Sequence, residues 1–181
     1  MALLRRHCLA GALLLACVRV RAEPATTLEQ QVKAAYLIHF ASYVSWPAAS
    51  FARADSPLLI GVAGDEGLAA QLARALAGRS VDGHPLALRR VGRGAAELAG
   101  LHMLFIGAQE RAAMAALLAG VRGQPVLTVS DMPDALALGC MITFVLADER
   151  LRFEVALAPV VAGGLHVSAR MLAVARRVQG A

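Results

Sequence analysis

The chain has 181 residues, 58% of them apolar and only 4% aromatic, so it is long enough to bury a core built mainly from Ala, Leu and Val. Its formal charge of +5 is concentrated at the start: residues 1–22 hold Arg5, Arg6, Arg19 and Arg21, and the remainder carries 14 basic against 13 acidic side chains. A near-neutral body with no Lys/Arg cluster and a single Trp argues against nucleic-acid binding.

Residues 1–22 read as an export signal, with Arg5 and Arg6 as the basic start, residues 8–18 as the apolar stretch and Val20-Arg21-Ala22 as an approximate cleavage site. The apolar stretch is about half the roughly 20 residues that a spanning helix needs, so it exports the chain and does not anchor it. Leu14-Leu15-Ala16-Cys17 also resembles a lipobox, which keeps lipidation at Cys17 as an alternative to simple cleavage. Residues 23–181 are then expected to form one exported domain. Simple cleavage leaves Cys140 as the one cysteine, either buried among Met141, Ile142 and Phe144 or bridged to a second chain.

In the domain, Thr26-x-x-Glu29 reads as a capping box opening a helix, and Trp46-Pro47 closes it. This helix, VKAAYLIHFASYV, is apolar nearly all round, because Lys33, His39 and Ser42 do not align. It is expected to be covered on more than one side, by the sheet and by a dimer mate or partner. From Leu58 onward strands and helices alternate. LLIGVAG, PLALRRV, HMLFIG and PVLTVSD read as strands, and EGLAAQLARALAG, GAAELAG and QERAAMAALLAG as the helices between them. That order predicts an α/β fold with a mainly parallel sheet flanked by helices. MITFVLADERLRFEVAL reads as a hairpin turning at Ala147-Asp148-Glu149-Arg150, and SARMLAVARRV as a C-terminal helix with Arg170, Arg176 and Arg177 near its exposed side.

No stretch carries a catalytic signature. Gly61-Val-Ala-Gly64-Asp-Glu-Gly67 has neither dinucleotide nor P-loop spacing and reads as a tight strand-to-helix turn. Asp65 and Glu66 follow the first strand and Asp131 the fourth, so these acids could gather at the carboxyl ends of a parallel sheet, where open α/β sheets bind ligands. The plainer reading is that they cap helices and turns. Lys33, the only Lys, lies upstream of the whole sheet, which counts against a phosphoacceptor pocket. His39, His84, His102 and His166 are scattered, so no metal is expected. Arg152 and Glu154 alternate with Leu151, Phe153 and Val155, which places them together on one strand face, as a solvated ladder or a polar clamp on a binding surface.

The runs VKAAYLIHFASYVSWP, LIGVAGDEGLAAQLARALAGR, HMLFIG, PVLTVSD, GCMITFVLADERLRFEVAL and GLHVSARMLAVARRV, in that order over residues 28–178, resemble the YfiR family of bacterial periplasmic proteins. The resemblance implies a non-enzymatic regulator with a central sheet flanked by helices. It also implies two partners: an inner-membrane diguanylate cyclase, repressed through its periplasmic part, and an outer-membrane lipoprotein that titrates the repressor, so that release raises cyclic di-GMP and favours biofilm growth. The chain departs from the family pattern at His84, Cys140, Ala156 and Ala169, and without its first 22 residues it cannot form the disulfides of well-studied relatives.

Two functions follow as expectations. One is a periplasmic negative regulator, homodimeric, that holds a membrane cyclase inactive by protein contact. The other is a periplasmic sensor binding an anionic or zwitterionic small molecule. A hydrolytic enzyme is the weakest alternative, since no catalytic constellation is found. The candidate ligand- or partner-binding residues are Trp46, Asp65, Asp131, Arg152 and Glu154; no catalytic residue, metal or cofactor is expected.

Overall fold

The structure, a computed structural model, describes residues 25–92, 95–107 and 111–180. The expected export signal and Cys17 lie outside the described residues.

Apolar runs in the middle of the chain become strands buried on both faces, as parallel sheets require. The main sheet is β10-β8-β7-β6-β5-β2-β4-β3. Its strands are β2 (Leu58–Ala63), β3 (Ser80–Val81), β4 (His84–Arg90), β5 (Met103–Ile106), β6 (Leu127–Ser130), β7 (Ile142–Ala147), β8 (Arg150–Ala156) and β10 (Arg177–Gln179). Pairing is parallel except for β3 with β4 and β7 with β8. The expected α/β class with a mainly parallel sheet is what the chain adopts.

Two clusters of buried side chains lie on opposite faces of this sheet. On one face, α1 (Ala25–Tyr43), α2 (Glu66–Leu76) and α5 (Ala169–Val174) pack Leu37, Phe40, Leu72 and Met171 against Ile60, Val62, Phe105, Phe144 and Phe153. On the other, α3 (Arg111–Gly120) packs Met114 and Leu118 with Ala63, Leu104, Ile106 and Cys140. Cys140 is fully buried, its Sγ 3.2 Å from the Ile142 carbonyl, and burial pushes its thiol up to about 11. Of the two fates open to it in sequence, the fold shows burial.

Three element boundaries differ from expectation. Helix α1 begins at Ala25, before Thr26, and Glu29, the other half of the expected capping box, carries its carboxylate to Lys33. At its far end α1 stops at Tyr43, because β1 (Val44–Ser45) pairs antiparallel with β9 (His166–Val167) and ties the helix to the C-terminal segment. The C-terminal run is helical only to Val174; Ala175 is extended, and Arg177–Gln179 joins the sheet beside β8. A six-residue helix, α4 (Leu157–Ala162), follows β8 directly.

Helix α1 is also more one-sided than its sequence suggests. Lys33 sits on the buried side, and apart from Glu29 the exposed positions, Leu28, Gln31, Ala35, His39 and Ser42, form one stripe at three- and four-residue spacing. The buried side, with Ala34, Leu37, Ile38, Phe40 and Ala41, faces the protein's own core.

Candidate functional site

The first turns of helix α1 lie at the carboxyl ends of the parallel strands, and their few polar residues meet the acids there. Lys33 is 5% exposed, and its Nζ lies 2.5 Å from both Asp131, just after β6, and Glu29, one helical turn back. Burial alone pulls the ammonium down, but the hydrogen bonds and charges of Asp131 and Glu29 outweigh it and hold Lys33 above its ordinary value. Gln30, three residues earlier, donates to Asp65 Oδ1 at 3.1 Å, and the same oxygen caps α2 by accepting the Leu68 N–H at 2.8 Å. Gly67 makes room for this contact, since a Cβ there would stand 2.2 Å from the Gln30 amide nitrogen. Glu66 turns away to an exposed pair with Arg90.

The acids therefore do not gather. Asp65 and Asp131 are held apart by separate partners on α1, and no cluster of three His, Cys, Asp or Glu with metal-binding geometry occurs among the described residues.

Beyond Asp131 the β7–β8 hairpin stands out from the sheet. β6 pairs only with Ile142 and Thr143, and β10 only with Glu154–Ala156, so residues 144–153 extend past both neighbouring strands. Between this overhang and α1 lies a groove of about 760 Å³, walled by Leu28, Val32, Lys33, Tyr36, Leu146 and Leu151, with Arg150 and Arg152 at its rim. Leu146 is 77% and Leu28 66% exposed, two of the four exposed large apolar side chains among the described residues. Tyr36 pins the hairpin by donating its hydroxyl to the Leu151 carbonyl at 3.2 Å, and its ring packs with Phe40, Phe144 and Phe153.

Arg152 and Glu154 share a strand face, as alternation predicts, but their environments differ. Arg152 is exposed, whereas Glu154 is 3% exposed and receives both Arg176 and Arg177, the latter through Nη2 at 2.6 Å and Nε at 2.9 Å. A solvated ladder does not describe a carboxylate enclosed this way. The reason is β10, which lies against Glu154 in register with Arg177.

Asp131, Arg152 and Glu154 thus come together around the hairpin, with Asp131 lining both the groove and a second hollow of about 540 Å³ beside Thr143, Glu154 and Arg177. Asp65 lies two strands away, and Trp46 at the opposite end of the sheet. There the Trp46 indole N–H donates to the His102 carbonyl at 2.8 Å. His102 is buried; its Nδ1 accepts the Leu59 N–H at 3.1 Å, so Nε2 carries the proton toward the Ser50 carbonyl at 3.1 Å. Burial lowers its pKa and nearby His84 adds to this, against an opposing hydrogen bond to Ser50. Phe51 is stacked between the His84 and His102 rings, with centroids at 3.7 and 4.3 Å.

Sequence reasoning missed Lys33, Tyr36, Leu146 and Leu151. Lys33 was detectable as a lone cation on an otherwise apolar helix, since a buried ammonium demands an acid.

The sequence model of YfiR/HmsC-like proteins matches residues 30–176, nearly the whole described fold. The chain belongs to the YfiR/HmsC-like family. No curated protein matches it, so the family carries what similarity contributes. The match runs from Gln30 to Arg176 and so takes in both ends of the network described above, the α1 residues that hold the acids and the first arginine on Glu154. No helix among the described residues is long and apolar enough to cross a membrane.

Proposed function

We propose that this YfiR/HmsC-like chain is exported to the periplasm, with residues 1–22 as the signal and residues 23–181 as one domain. There it restrains a membrane diguanylate cyclase by protein contact. Membership of the YfiR/HmsC-like family is the observation that carries this reading. The geometry supports it in one further respect. A ligand sensor built on Asp65 and Asp131 needs those carboxylates available, and both are engaged by residues of α1. The groove beside the hairpin instead exposes apolar side chains at a charged rim, which suits a protein surface.

Repression of this kind requires the chain to bind the inactive form of the enzyme more tightly than the active form. A difference of about 3 kcal/mol shifts the enzyme's equilibrium roughly 150-fold. The test is deletion of the gene followed by an intracellular cyclic di-GMP assay, with complementation by the full chain and by a form lacking residues 1–22. Deletion raises cyclic di-GMP, and only the exported form restores it. Unchanged levels on deletion, or rescue by the leaderless form, would remove the proposal.

A further inference from the structure

We propose that the outer edge of β8 over residues 150–152 is a docking site for an extended acidic segment of a partner protein, which adds to the sheet as another strand. The proposal rests on the regulatory reading above, because it specifies how such a partner is recognised.

Backbone geometry defines the edge. Asp148 and Glu149 form the two-residue hairpin loop with φ of 50° and 57°, which makes Ala147 and Arg150 the closing hydrogen-bonded pair. Alternation from that pair turns the backbone groups of Leu151 and Phe153 outward, away from β7. Two contacts agree: the Phe153 carbonyl accepts the Arg176 N–H at 2.8 Å, and the Leu151 carbonyl accepts the Tyr36 hydroxyl. β10 covers Glu154–Ala156 and the Arg176 backbone reaches the buried Phe153, so the open outward N–H of this edge is that of Leu151. The Leu151 carbonyl keeps a second lone pair for a further donor.

Charge selects the occupant. Arg150 and Arg152 are exposed on one face of this edge, and the half-exposed Arg176 and Arg177, just before and at the start of β10, lie beyond them on Glu154. Glu154, the acid on the same face of β8, is buried and engaged by the last two arginines. A second copy pairing edge to edge about a twofold axis through Leu151 would set Arg150 of each chain against Arg152 of the other, and like charges directly opposite oppose pairing. The arginines that guard the edge against its own copy are thus the groups that admit an acidic strand. On the other face, Leu151 and the exposed Leu146 border the groove, so the matching segment alternates acidic with apolar residues.

The experiment is fluorescence anisotropy on the purified exported protein, using a labelled Thr-Glu-Val-Glu-Val-Glu-Thr peptide and its counterpart with Lys in place of every Glu. The acidic peptide binds, binding weakens as salt is raised, and R150E/R152E weakens it at least about tenfold, while a Gln31→Glu variant on the exposed stripe of α1 leaves it unchanged. No binding, equal binding of the two peptides, or indifference to R150E/R152E overturns the site. A change of oligomeric state in R150E/R152E by sedimentation also overturns it, because the edge would then be covered by a second copy. Failure here with cyclic di-GMP still rising on gene deletion refutes the docking site alone. Binding as expected with cyclic di-GMP indifferent to deletion refutes the regulatory reading alone.

Discussion

Replacing Asp131 with Ala strands a charge that the fold cannot easily return to water. Lys33 is 5% exposed, and in D131A its one remaining acid is Glu29, whose side chain is 54% exposed and correspondingly screened. Breaking a fully buried pair by removing one partner costs about 3–5 kcal/mol; with Asp131 itself 23% exposed and Glu29 retained, about 2 kcal/mol is the appropriate figure. For a domain of this size that lowers Tm by roughly 4–8 °C. Adding Lys33→Met removes the stranded charge and fills its volume, so K33M/D131A recovers to within about 1 kcal/mol of the parent. The sign of the pH dependence follows from Lys33 being held above 10.5: its contribution is fully present below 10.5 and disappears as pH rises through the folded-state value. The Tm gap between parent and K33M therefore stays constant from pH 7 to pH 10 and narrows above that. Calorimetry of the four proteins of the cycle decides the matter, and strictly additive losses would show that the pair is not coupled.

Cys140, buried with its thiol pushed up to about 11, resists iodoacetamide in the folded protein at pH 8 and reacts once denaturant is added; rapid native labelling would contradict the packing. His102, with its pKa lowered, contributes stability that is present above about pH 6.5 and is lost as pH falls through the folded-state value, because protonating Nδ1 removes the acceptor for the Leu59 N–H. Thermal melts between pH 7.5 and 5 should show this loss in the parent and a smaller one in His102→Asn. Glu154→Leu leaves Arg176 and Arg177, each about half exposed, free to turn to solvent, and is expected to cost about 1–2 kcal/mol and to loosen β10, read as faster amide exchange over residues 177–179.

The strands were legible because parallel strands covered on both faces must be apolar throughout, and runs such as Leu58–Ala63 and Met103–Ile106 are. The C-terminal strand was not, because Ala175 to Val178 continue a helical apolar spacing; only the distant Glu154, which both arginines reach, selects the extended form. Asp65 as a helix cap was readable from local chemistry, whereas the partner of Asp131 was not. Lys33 lies 98 residues away in sequence, and its position upstream of the sheet suggested separation, whereas the fold brings the start of α1 to the strand ends. The hairpin groove was unreadable for a related reason: its walls, Tyr36 and Leu151, are 115 residues apart.

Restraint of a cyclase by contact can be measured by adding the purified exported protein to spheroplasts of the deletion strain, whose outer membrane is opened, and following cyclic di-GMP inside them. Synthesis is expected to fall saturably as protein is added, with the added protein retained at the inner membrane. Retention without any fall in synthesis, or a fall that boiled protein reproduces, would contradict the claim that contact at the periplasmic surface restrains the cyclase.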